Sequence, residues 1–151
     1  MPAHSETRVV PYAADLMYRV VADVERYPDF LPWVVSLRVL SRARQGEKDV
    51  LTAEMLVGFK ALRERYTSRV VCDPVARTID VTQAEGVFRK LENHWRIMPE
   101  GDGCRIDFSL DFEFKSRLLT AVAGTMFAHA TTQMSHAFEA RAKKLSEQPH
   151  Q

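Results

Sequence analysis

No stretch of the 151-residue chain approaches the roughly 20 consecutive apolar residues needed to span a bilayer, so any membrane contact is expected to be peripheral. Charge of one sign is missing too. With 21 basic against 20 acidic side chains the net charge is +1, and no global field recruits DNA or an anionic surface. Cysteine occurs only as Cys72 and Cys104, spaced neither as a metal knuckle nor as a redox pair. The opening Met1-Pro2-Ala3-His4-Ser5-Glu6 holds no apolar signal core, and a reduced, cytoplasmic protein is expected. Internal repeats and low-complexity segments are absent. The length suits one hydrophobic core and not two, so residues 1–151 read as a single domain.

Catalytic machinery is lacking as well. The serines lie outside any G-x-S-x-G elbow, there is no glycine-rich phosphate loop, and His4, His94, His129, His136 and His150 form no H-E-x-x-H pair. His129 and His136 share a helix face, where a histidine beside an apolar stripe is more often a flank residue than a ligand. Glu64 with His94 or Tyr66 is the one nameable acid/base pair, and the strand phase of His94 argues against it. No catalytic residue, metal or required cofactor is therefore expected.

What is present is pattern. Ile106, Phe108, Leu110, Phe112 and Phe114 alternate with polar residues, the signature of a strand wet on one side. Residues 116–145 contain no proline and one glycine, and Leu119, Ala123, Met126, Phe127, Ala130, Met134, Ala137, Phe138 and Leu145 recur at helical spacing. Ser116 is placed to cap that helix. Upstream, Thr7 to Val10 reads as a strand, Leu16, Met17, Val20 and Val21 as a first helix, and Val24 to Tyr27 as a second, capped by Asp23 and ended by Pro28. Six strands follow: one with Val35, Leu37 and Val39 on one face, one with Leu51, Ala53, Met55, Val57 and Phe59, and one with Leu62, Tyr66, Val70 and Cys72. Next come Ile79 with Val81, Leu91 with Trp95 and Ile97, and the strand to Phe114. Turns are expected at Gln45–Lys48, Gly58–Ala61, Glu85–Gly86 and Pro99–Gly103. Antiparallel strands with segregated helices define an α+β fold.

The helix stripe thins at Ala123, Ala130 and Ala137, which either lets the helix sit close to the sheet or leaves a cavity for an apolar ligand. Glu64, Ser68 and Asn93 fall on the inward phase and need partners, unless the register slips by one residue near the hairpin. The stiff turn Phe30-Leu31-Pro32-Trp33 reads first as a plug under the sheet, with ligand contact by Trp33 the alternative. Lys60 and Leu62 at a hairpin tip, and Lys115, Leu118 and Val122 at the start of the helix, set apolar residues beside basic groups, which reads as a lipid interface, a dimer contact or simple core burial. Arg63, Arg65 and Arg69 form an outward basic row without interleaved aromatics, a solvated face that is also the best handle for a ribosomal or RNA partner.

Three segments, Asp23 to Trp33 with its Tyr-Pro-x-Phe-Leu-Pro core, Arg65-Tyr66-Thr67-Ser68-Arg69-Val70, and Leu110 to Ser116 with Phe-Glu-Phe-Lys-Ser, together resemble the coenzyme Q-binding proteins of the START-like, polyketide cyclase/dehydrase superfamily. The resemblance implies a helix-grip fold, a curved antiparallel sheet of about six to seven strands around a long C-terminal helix with two short helices near the N-terminus. It further implies a hydrophobic tunnel that binds ubiquinone or a related isoprenoid lipid, without catalysis, in support of respiratory electron transport or quinone delivery. Phe30, Leu31, Trp33, Met55, Val57, Phe59, Glu64, Tyr66, Asn93, Trp95, Phe112, Phe114, Leu119, Met126 and Ala130 are the candidate tunnel or entrance residues. A ribosome-association toxin resembles the same family, which makes a ribosomal subunit the alternative partner, and a cyclase or dehydratase is a second alternative. Mitochondrial members carry a targeting extension; this chain shows none, which implies a bacterial cytoplasmic form, peripheral on the inner membrane if it meets one.

Overall fold

The computed structural model describes residues 3–31, 33–59 and 62–147; the side chains of Phe59, Leu62 and residues 122–132 lie outside what is described. Strand β1 (Ala3–Val10) leads into α1 (Ala14–Ala22), a 3-10 turn (Val24–Arg26) and α2 (Tyr27–Phe30). The meander β2 (Val34–Gln45), β3 (Lys48–Phe59), β4 (Leu62–Asp73), β5 (Thr78–Gly86), β6 (Phe88–Glu100) and β7 (Gly103–Phe114) follows, and α3 (Arg117–Glu147) closes the chain. All seven strands form one antiparallel sheet in the order β1-β7-β6-β5-β4-β3-β2, so the first strand folds back beside the last.

Period-two alternation survives as a buried inner face on β3 to β7. Leu51, Ala53, Val70, Cys72, Ile79, Trp95, Ile97, Cys104, Ile106 and Phe108 are all buried there, and α1 adds Met17, Val20 and Val21. The register at the hairpin is the one the phase requires, with Val57 opposite Glu64 and Gly58 opposite Arg63. Its Lys60–Ala61 link lies outside the described residues, as does Pro32. Helix α3 starts where Ser116 accepts the Leu119 N–H on its hydroxyl at 3.3 Å, satisfying one orphan donor of the first turn. From there the helix crosses the concave face of the sheet. Phe138 and Ala142 in its last third are buried to 3% and 0% exposure.

Four sequence expectations need correction. Val35 does not share the face of Leu37 and Val39: a bulge between Val34 and Ser36 turns Val34 inward and leaves Val35 46% exposed. Pro28 does not end the second helix but sits in the first turn of α2, where its missing N–H costs nothing. Asp23 makes no side-chain cap bond to the 3-10 turn. Strand β1 starts at Ala3 rather than Thr7, because Ala3 to Glu6 pair with Asp111 to Phe108 on β7. Local propensity does not register that pairing.

Candidate ligand-binding site

The inner faces of β2 to β7, the α2 segment and α3 do not close on one another. Between them lies a cavity of about 260 Å³. Two aromatic groups flank it. Tyr27, Phe30, Trp95, Phe108 and Phe138 interlock on one side, and Phe88 stacks on Phe114 at 4.7 Å on the other, with Tyr66 edge-on to Phe88 at 4.9 Å. Of the candidate residues, Leu31, Trp33, Met55, Val57, Tyr66, Asn93, Trp95, Phe112 and Phe114 line this cavity. Trp33 lines the cavity and at the same time packs, partly buried, against the core, and its carbonyl ties the turn to the β3 end by accepting the Gly58 N–H at 2.8 Å.

Other candidates stand elsewhere. Phe30 packs edge-on against Tyr27 and Phe138, with the Arg141 guanidinium 5.5 Å from its ring centre, behind the lining. Glu64 has the inward phase but sits two pairs from the end of the β3–β4 ladder, partly exposed and off the lining. Leu119 packs on the Phe88, Leu91 and Phe114 cluster without reaching the lining. Lys60 and the side chains of Phe59, Leu62, Val122, Met126 and Ala130 lie outside the described residues. Lys115 is exposed and its N–H is bound to the Val87 carbonyl at 2.9 Å, while Leu118 is 73% exposed.

Further lining residues escaped sequence reasoning. Leu37, Ala53, Val70, Val81, Leu91 and Leu110 share the strand phase of the candidates and could have been found by it. Met134 and Phe138 had their helical spacing. Tyr27 and Phe88 carried no periodic signal, since a short turn and a strand start place them.

Among the described lining residues none carries a charge at neutral pH. The polar side-chain groups are hydroxyls, two indole N–H groups and one amide. Asn93 Nδ2 donates to the Ser109 carbonyl at 2.9 Å while its Oδ1 accepts from Trp95 Nε1 at 3.0 Å, which answers the need for a partner at an inward polar position. Tyr27 donates its hydroxyl to the Val21 carbonyl, and burial raises its pKa. Burial also pushes the Tyr66 phenol up to about 12. Tyr66 is held from behind by a glycine. Gly86 lies opposite it at φ +144°, and a Cβ there would stand 2.5 Å from the Tyr66 Cβ. Next to it the Gln83 amide bridges the turn, donating to the Phe88 carbonyl at 2.7 Å and accepting the Phe88 N–H at 2.9 Å, which fixes the ring that Tyr66 leans on.

His94 is outside this space. On the outer face of the sheet its Nδ1 lies 2.7 Å from Asp80 Oδ1 and its Nε2 3.4 Å from Glu92. That same face carries Arg65 and Arg38 at 3.0 and 3.5 Å from the shared Glu54. Among the described residues there is no cluster of metal-ligating side chains, and no described helix is long and apolar enough to cross a membrane.

A seven-stranded antiparallel sheet wrapped on one long helix, with a cavity between them whose described lining is uncharged, defines a START-like helix-grip domain. Residues 10–139 match the family model for polyketide cyclase/dehydrase and lipid transport, and the chain belongs to that family. It is 32% identical over 148 residues to the ribosome association toxin RatA of Rickettsia prowazekii, covering 96% of this chain and 99% of the relative. It is 36% identical over 146 residues to a mitochondrial coenzyme Q-binding protein of Xenopus laevis, covering 94% of this chain and 58% of that longer protein. Among solved structures, an 18 kDa protein of Caulobacter crescentus shares 40% identity and a TM-score of 0.82, over 98% of this chain and 100% of the other.

Proposed function

We propose that the protein binds a neutral isoprenoid quinone, or a lipid of like chemistry, in the inner cavity and does so without altering it chemically. The observation that carries this reading is a cavity of about 260 Å³ whose described lining is apolar and aromatic and bears only neutral polar groups. Burying an isoprenoid there contributes roughly 25 cal/mol per Å² before the cost of association. Fatty acids and phospholipids are less suited, because their charged heads would enter without a counter-charge. At about 260 Å³ the cavity is somewhat smaller than common ligand pockets of about 300–1,000 Å³, with room for a substituted ring and the first part of a tail but not for a whole isoprenoid chain. The relative named for coenzyme Q binding supports the same ligand class. A non-catalytic role fits the arrangement of candidate groups, for His94 and Glu64 do not meet in the cavity. Such a protein would supply quinone to respiratory electron transport or to quinone biosynthesis.

Both tryptophans of the chain, Trp33 and Trp95, line the cavity, so an entering quinone should quench most of the indole emission. Saturable quenching by a short-tailed ubiquinone analogue is expected; emission unchanged at saturating analogue would remove the reading.

A second reading, a ribosome-binding protein, is favoured by the outer face of β2 to β4, which carries Arg38, Arg63, Arg65 and Arg69 and where Glu54 pairs with Arg38 and Arg65. The relatives named as ribosome association toxins support it. Replacing Arg63, Arg65 and Arg69 by Glu should leave quinone quenching intact. If the triple variant alone loses co-sedimentation with a ribosomal subunit at moderate salt, the outer face carries this second role.

A further inference from the structure

We infer that the cavity discriminates its ligand by redox state, holding an oxidised quinone, whose ring oxygens only accept hydrogen bonds, more tightly than the corresponding quinol. The inference rests on the quinone-binding reading above and assigns the discrimination to Tyr66 and Ser68.

These residues stand two apart on β4, so their side chains leave the same face, and both line the cavity. Each hydroxyl has a weak partner. Tyr66 donates to the Met55 thioether at 3.3 Å, and sulfur is a weak acceptor. Ser68, at 1% exposure, donates to the Ala53 carbonyl at 3.5 Å, at the outer limit of a hydrogen bond. That carbonyl belongs to the β3–β4 ladder, where Ala53 faces Ser68 directly. The amide of Asn93 has its oxygen and its nitrogen already engaged, by Trp95 and Ser109. The described lining thus offers two O–H donors with weak partners, Ser68 buried and Tyr66 partly buried, and as open acceptors little beyond those two hydroxyl oxygens and the second lone pair of the Asn93 amide oxygen.

A quinone oxygen is the complement of that arrangement. It accepts from a hydroxyl that loses only a thioether or a stretched contact, and it brings in no donor of its own. The quinol brings two O–H groups into the same space. Each must find an acceptor or be buried without one, and an orphaned donor costs more than an under-used carbonyl oxygen. Tyr66 stays protonated, and so remains a donor, across the neutral range. Its ring is held in place by the close approach of Gly86 and by the edge-on contact with Phe88. The hydroxyl therefore need not be ordered at the moment of binding.

The test is an anaerobic calorimetric titration of the full chain with a decyl-tailed ubiquinone analogue and, separately, with its reduced quinol. The quinone is expected to bind about tenfold tighter than the quinol. In the Tyr66→Phe, Ser68→Ala double variant the ratio should fall to about twofold, through weaker quinone binding and not stronger quinol binding. Tyr66→Phe alone keeps the ring packed on Phe88, so a folded variant with a reduced ratio is available if the double variant is unstable. Equal affinities in the wild type, or a ratio that survives the variants, overturn the inference while leaving quinone binding standing. If neither redox form binds to protein with its native thermal transition, the quinone reading falls and this inference falls with it.

Discussion

The two sides of the space between sheet and helix are filled differently. On one, Tyr27, Phe30, Trp95, Phe108 and Phe138 interlock with ring centres 4.6 to 5.9 Å apart, Ala142 is fully buried, and α1 seals the layer with Met17 and Val21. On the other, Phe88, Leu91 and Phe114 form a smaller cluster, and the lining between the two groups faces space rather than atoms. Close packing is what makes an interior resist deletion and insertion alike. The packed side should therefore carry the stability of the fold and the hollow side its ligand chemistry, and substitutions on the two sides should fail in different ways.

The largest expected effect is on the packed side. Phe108→Ala should lower the unfolding free energy by about 3–5 kcal/mol in urea titrations, whereas Leu110→Ala, beside existing space, should cost less than half as much. Equal costs would erase the contrast. Gly86→Ala comes next. The new methyl meets the Tyr66 Cβ in a backbone conformation that L-residues avoid, so a loss of about 1–3 kcal/mol and weaker quinone binding should appear together. Val81→Trp sharpens the comparison from the hollow side: the ring occupies the cavity, so quinone affinity should fall at least about tenfold while stability falls by less than the ~3 kcal/mol that overpacking a filled core can cost. A variant that still binds at full affinity would place the ligand elsewhere.

The smallest effect lies on the outer face. Burial pulls the His94 pKa down, but its bonds to Asp80 and Glu92 outweigh this and raise it above 6.5. A raised folded-state pKa stabilises fully below the unfolded value and loses that contribution as pH rises through the folded one. With the imidazole 45% exposed the contribution is small. The thermal midpoint should drop slightly as pH rises from about 6.5 through the raised folded-state value, and His94→Gln should flatten that slope without touching ligand binding. An NMR titration of the ring gives the same answer directly.

Much of this contrast was legible in the chain. Period-two patterning put Met55, Tyr66, Asn93, Trp95 and Phe112 on one face, and the fold turned that face toward the cavity. The choice between a close-packed helix and a hollow one was not legible, because small residues on a helix serve both. Val35 was misplaced because a bulge leaves no mark in a run of apolar residues. Glu64 kept its phase yet missed the lining, since alternation fixes a face and says nothing of the distance along the strand to the ladder's end. Tyr27 and Phe88 reach the site through chain crossings and close contacts that only the assembled sheet creates.

The central claim is that the space beside the packed aromatics exists for a lipid. The most direct measurement is native mass spectrometry, with organic extraction, of the wild-type protein and Val81→Trp purified gently from membrane-rich cells. A stoichiometric isoprenoid quinone on the wild type, absent from a folded Val81→Trp variant, is the predicted result. A wild-type protein that carries no lipid and takes up none from quinone-loaded vesicles would contradict the account.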